Sequence, residues 1–273
     1  MMVKHSFHSF VCLALGALVA LGACSKTPSE PPVDAQQHLL DLLNAEDRLY
    51  RDLQLTSQAM GRKMKYTVWL PGGYDSSMQY PLLYLLHGYG DDNNSWVDKG
   101  DAQRIVRDYV SQGGTPMVVV MPDGLVNFYS GAWETYFHHE LIPEVERAFR
   151  CDGKRAVAGL SMGGYGTLYN VLNHPDKFRF GYAMSPATDP DGFGRLVRAQ
   201  ADPSVFPPIV LESGTQDITV TIESVRSFSG LLTELGVKHD FIERAGGHDW
   251  AFWPVCLQKA LGRIGDAFAA AAE

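Results

Sequence analysis

A series of short apolar runs, each followed by a helical stretch, constrains this chain more than any other feature. Pro81 to Leu86 and Met117 to Met121 are hydrophobic almost without a break, as suits strands buried on both faces. Arg155 to Leu160, Arg179 to Ser185, Ile209 to Ser213 and Val237 to Glu243 read as further strands. Between and after them, Asp101–Gln112, Trp133–Arg150, Met162–Asn173, Ile218–Leu235 and Trp250–Ala271 carry helical spacing. Such alternation predicts an α/β fold, a mostly parallel central sheet with helices on both faces. Upstream, Arg48–Thr56 and Lys63–Leu70 flank the Gly61-Arg62 turn and alternate apolar with polar. They predict an antiparallel N-terminal hairpin at one edge of the sheet.

Of 273 residues, 45% are hydrophobic and 20% charged, which excludes a disordered chain and provides for one large domain or two small ones. The net charge of −8, with no block of lysine or arginine, gives no footprint for nucleic acid. The N-terminus reads as an address. Lys4 precedes the apolar stretch Phe10 to Leu21, which is too short to span a bilayer comfortably. Leu21-Gly22-Ala23-Cys24 resembles the lipobox of bacterial lipoproteins. That likeness implies cleavage before Cys24, lipidation of Cys24 and attachment to the membrane through the lipid. Ser25 after the cysteine implies the outer membrane, facing the periplasm; ordinary cleavage after Ala23, giving a secreted protein, is the alternative. The expected organisation is a signal peptide over 1–23, a polar, Pro-rich tether with a short helix (Asp34 to Asp47) over 24–46, and the α/β domain over 47–273.

The chemistry concentrates at Gly159-Leu160-Ser161-Met162-Gly163, a G-x-S-x-G lying between a predicted strand and a predicted helix. That context is what a nucleophile elbow requires, because a strained turn presents the serine and admits only small neighbours. A serine nucleophile needs a base, an acid and an oxyanion hole. Downstream, His174 falls at a helix end and His239 within a strand. His248 lies in the loop before the last helix, where the base of a Ser–acid–His order belongs. Asp217, just past the strand ending at Ser213, is the candidate acid. Glu212 is its rival, although alternation aims that side chain at a sheet face. Asp189 follows an earlier strand, and Asp249 adjoins the base too closely to reach its ring. The N–H groups of Met162 and Tyr89 are the candidate oxyanion donors, and His87 is expected to brace the loop carrying Tyr89. His138-His139-Glu140 is expected to be a solvated helix face, because adjacent helical positions diverge too far to share a metal ion.

His87-Gly88-Tyr89-Gly90, Met121-Pro122-Asp123-Gly124, Glu140-Leu141-Ile142-Pro143, the elbow through Gly166, and Gly246-Gly247-His248-Asp249-Trp250 occur in that order. Together they resemble the esterase D-like superfamily of α/β-hydrolases, which includes feruloyl and acetylxylan esterases. The resemblance implies a serine esterase that needs no metal or organic cofactor and acts on small-molecule or carbohydrate-linked esters. An acyltransferase using the same triad, and a silent binding protein, are the alternatives. About twenty residues, Pro186 to Val205, leave no room for a large lid, so short acyl groups are expected. Loop aromatics Trp96, Phe128, Tyr129, Trp133, Trp250 and Trp253 are candidates for substrate contact, or for loop packing. Cys151 and Cys256 fall near opposite edges of the sheet, too far apart for a disulfide, and are expected to be unpaired and largely buried.

Overall fold

The computed structural model describes residues 46–270. The leader, Cys24 and the expected N-terminal helix up to residue 45 lie outside them; Glu46 and Asp47 are not helical. An eight-stranded sheet forms the centre, in the order β1-β2-β4-β3-β5-β6-β7-β8. β1 (Arg48–Ser57) and β2 (Arg62–Leu70) form the hairpin, antiparallel to each other, and β2 runs antiparallel to β4 (Val118–Pro122). β3 (Tyr80–Leu86), β5 (Cys151–Leu160), β6 (Phe180–Met184), β7 (Ile209–Gly214) and β8 (His239–Arg244) pair in parallel, as does β3 with β4.

Period-two alternation divides the core into two layers. Leu82, Tyr84 and Leu86 point into one, and Leu83 and Leu85 into the other. α2 (Ala102–Ser111) and α8 (Trp253–Ala269) cover the second layer. α3 (Ala132–Tyr136), α4 (Ile142–Ala148), α5 (Met162–Asn173), α6 (Pro190–Arg198) and α7 (Ile222–Glu234) cover the first. A short α1 (Ser95–Asp98) follows the loop after β3.

Three boundaries depart from expectation. The stretch Trp133–Arg150 is not one helix: a π-turn, Phe137–Leu141, separates α3 from α4. Pro143 has no N–H to continue an α-ladder, and the wider turn absorbs that loss. The helix predicted from Ile218 begins only at Ile222, because the Asp217 side chain takes the N–H groups of Thr219 and Val220. Finally, the connection from Pro186 to Val205 contains α6, capped by Asp189 accepting from the Gly192 N–H. The Asp189-Pro190 pair is the sequence signal for that helix.

Candidate active site

The carboxyl ends of β3, β5, β7 and β8 carry the loops that meet above the sheet. Ser161 sits between the end of β5 and the start of α5 with φ 53° and ψ −113°, a region costly for a residue with a side chain. Backbone bonds clamp it there: its N–H donates to Met184 O (2.9 Å), and its C=O accepts from Ala187 N (3.2 Å). A Cβ on Gly159 or Gly163 would collide with backbone of the neighbouring segment, so glycine is required at both flanks of the elbow.

Ser161 Oγ lies 2.8 Å from His248 Nε2, and His248 Nδ1 lies 2.7 Å from Asp217 Oδ2. Asp217 is buried at the end of the turn after β7, and its other oxygen accepts from Thr219 N (2.9 Å) and Val220 N (2.8 Å). One carboxylate oxygen is thereby committed to the backbone and the other to the imidazole. The acid and base loops are joined main chain to main chain, Thr215 N to Arg244 O (2.9 Å) and Gln216 N to Gly246 O (3.0 Å). Trp253 sets its ring edge-on to the His248 imidazole, with centroids 5.1 Å apart.

The other histidines have structural partners. His87 is buried, with Nδ1 2.8 Å from Gly88 O and Nε2 accepting from Gly124 N at 2.8 Å. It ties the loop after β3 to the loop after β4. His174 caps α5 and meets Glu134 Oε1 at 2.6 Å, and His239 contacts Ser229 and Val237. The expectation of a solvated face at His138-His139-Glu140 is corrected. The π-turn rotates His138 inward, where Nε2 meets Asn170 Oδ1 at 2.9 Å and burial lowers its pKa to about 3. His139 stays exposed, and Glu140 accepts from the N–H groups of Gln58 and Ala59. No group of three or more His, Cys, Asp or Glu among the described residues is arranged to hold a metal.

Glu212 lies within β7, fully buried and away from the base. Burial disfavours its charge, but hydrogen bonds from Tyr182, Lys259 and Arg244 outweigh that and hold the carboxyl below its usual range. Arg244 also donates to Phe252 O (2.6 Å) and lies over the Phe252 ring, fixing the loop behind His248. Asp189 is committed to α6, and Asp249 to the N–H groups of Ala251 and Phe252.

The cleft over Ser161 is open, about 490 Å³, and is lined by Gly88, Tyr89, Asp91, Leu160, Thr219, His248, Asp249, Trp250 and Trp253. Among the described residues, the N–H groups of Tyr89 and Met162 make no hydrogen bond, and Met162 is the first residue of α5. Of the aromatics expected to touch substrate, Trp250 and Trp253 reach the cleft. Trp96, Tyr129 and Trp133 are corrected: all three are buried, donating to Leu86 O, His87 O and Asp123 O respectively. They brace the loops that carry the site. Phe128 is half-exposed beside Tyr89 (6.4 Å) and Tyr165 (5.4 Å), outside the cleft lining. Asp91 and Thr219 line the cleft and carry no sequence motif of their own; their only signal is adjacency to the Tyr89 loop and to Asp217. Cys151 and Cys256 are unpaired, as expected, and Cys256 is fully buried against Arg244.

Known proteins resemble this chain in sequence and fold. The esterase family model matches residues 57–264. An endo-1,4-beta-xylanase/feruloyl esterase of Xylanibacter ruminicola is 29% identical over 222 residues, 74% of this chain but only 29% of that protein's length. An acetyl esterase of Caldicellulosiruptor saccharolyticus is 26% identical over 223 residues, covering 66% of this chain and 81% of that one. The solved structure of a ferulic acid esterase superposes with a TM-score of 0.75 at 27% identity, covering 82% of this chain and all (100%) of that one. With its parallel sheet, its serine elbow and a match over most of its length, the chain belongs to the esterase family of the α/β-hydrolase fold.

Proposed function

We propose that this protein is a serine carboxylic-ester hydrolase acting through an acyl-enzyme, with Ser161 as nucleophile, His248 as base and Asp217 as the orienting acid. The continuous hydrogen-bonded chain Asp217–His248–Ser161 carries this reading. Ser161 Oγ attacks the ester carbonyl carbon while His248 Nε2 takes the hydroxyl proton. Asp217 accepts from Nδ1 and stabilises the imidazolium that forms. The Tyr89 and Met162 N–H groups hold the oxyanion. The tetrahedral species collapses, the C–O bond to the alcohol breaks, and His248 protonates the departing oxygen. Water then enters, gives its proton to Nε2 and displaces the acid from Ser161, restoring the hydroxyl.

The substrates we propose are short-chain or carbohydrate-linked esters, of the acetyl and feruloyl type. The open cleft and the names of the related esterases support this choice. We further propose that the protein works in the cell envelope, held by lipid on Cys24, on the strength of the lipobox-like sequence. Ser161→Ala tests the chemistry. Hydrolysis of nitrophenyl acetate should fall by about 10⁴-fold or more with folding intact, and a phosphonate should label Ser161 alone. Labelling elsewhere, or near-normal turnover, sinks the assignment. Acyl transfer to an added sugar in preference to water would redefine the enzyme as a transferase. Cys24→Ser should release the protein from membranes; retention there would refute the lipid anchor.

A further inference from the structure

We infer that Asp91 is a specificity-determining residue, whose Oδ2 accepts a hydrogen bond from a hydroxyl on the alcohol moiety next to the scissile ester. The cleft thereby favours esters of neutral polyols, such as sugars, over esters of plain or anionic alcohols. This inference rests on reading the cleft as ester-hydrolysing.

Asp91 lines the same cleft as Ser161 and His248. Its N–H donates to Gly88 O (3.2 Å), which folds the side chain back against the oxyanion loop. Oδ1 accepts from Lys99 Nζ at 2.6 Å. Oδ2 accepts nothing among the described residues, although the side chain is only 12% exposed. A carboxylate oxygen at the cleft wall that no protein group occupies is free to accept from a substrate hydroxyl.

The position suits that hydroxyl. A Cβ placed on Gly88 would lie 3.5 Å from Asp91 Oδ2 and 3.7 Å from Ser161 Cβ. The two atoms are therefore no farther apart than those distances laid end to end. A separation within that bound admits an ester carbonyl on Ser161 with a hydroxyl on the neighbouring carbon of its alcohol. Trp250 completes the wall, because its ring packs against Gly100, the residue after Lys99. A carboxylate beside an indole matches the two characters of a sugar ring, hydroxyls at the edge and C–H groups on the face. Asp91 lines the cleft and Lys99 does not, so the pair presents its carboxylate to the substrate and disfavours anionic alcohols.

The test compares two acetates of similar size, a mono-acetylated methyl xyloside and cyclohexyl acetate, in the wild type, Asp91→Asn, Asp91→Ser and Lys99→Met. The readout is the ratio of their kcat/KM values. In the wild type the ratio should favour the xyloside. It should fall about ten- to hundredfold in Asp91→Ser, less in Asp91→Asn, whose amide oxygen still accepts, and least in Lys99→Met. Equal loss in Lys99→Met and Asp91→Ser would show that the pair only braces the loop, and would overturn the inference. So would an unchanged ratio, a wild type indifferent to the xyloside, or a loss that follows a hydroxyl on the acyl group instead. A wild type inactive on every ester would instead refute the hydrolase reading itself.

Discussion

Substituting alanine for Gly163 asks how closely α5 must dock behind the nucleophile. The added Cβ would overlap the Leu86 carbonyl oxygen and stand 2.7 Å from that of His87. Ordinary contact begins at 3.4 Å, so on the His87 side alone the helix start and the strand end must separate by about 0.7 Å, the difference of the two. Both obstacles are backbone, and no rotamer change relieves them. The two proposed oxyanion donors ride on these same segments, Met162 one residue before Gly163 and Tyr89 two residues after His87. Displacements near 1 Å cost on the order of 10²-fold in rate, and overpacking costs about 1–3 kcal/mol of stability. With nitrophenyl acetate, kcat should fall about 100-fold while KM changes little, the signature of an interaction made in the transition state. Labelling of Ser161 by a phosphonate should slow in step, and the melting temperature should drop by several degrees. A folded variant with kcat within about threefold of the wild type would refute the argument that this docking sets the donor geometry.

Other outcomes follow from burial. His138 has a folded pKa of about 3 against an ordinary 6.5, so its contribution is full above about pH 6.5 and is lost as the pH falls toward 3. Between pH 7 and pH 4, urea unfolding should show the wild type losing on the order of 3 kcal/mol more than His138→Gln; equal losses would place His138 in solvent. Burial pushes both the Cys151 and Cys256 thiols up to about 12, so a disulfide-exchange reagent at pH 8 should react with neither until the protein unfolds. Mass spectrometry of the non-reduced fragment starting at Ser25 should find no peptide joined through them. Activity should peak at acyl chains of about two to six carbons without interfacial activation, and a preference for emulsified long-chain triglycerides would contradict the open cleft.

The parallel sheet was legible because strands buried on both faces hold few polar residues, and Ser161 and Asp217 stood out just beyond such runs. His248 follows a strand of mixed pattern and was singled out instead by its place in the Gly-rich loop before the last helix. Burial within loops was not legible in the same way. Trp96, Tyr129 and Trp133 occupy the right loops, but composition does not distinguish a ring facing a cleft from one sealed by a bond to backbone. His138 was misjudged because an unbroken α-helix was assumed across Pro143, and the π-turn shifts every side chain after Tyr136 around the axis. Asp91 carries no pattern of its own; its place in the cleft follows from the bond between its N–H and Gly88 O, a fact of three dimensions.

The main-chain stitching between the acid and base loops has a consequence for how such an enzyme can change. Because Thr215 is joined to Arg244 and Gln216 to Gly246 through N–H and C=O groups alone, the stitch between the two loops does not depend on the side chains at 215 and 216. Ile218, next to the acid, is 91% exposed and touches little, while Thr219 and Trp250 face the cleft. Lineages can retool these positions for new acyl or alcohol groups without solving the catalytic geometry afresh. Libraries randomised at 218, 219 and 250 should accordingly retain a high fraction of active members, with altered preference among esters.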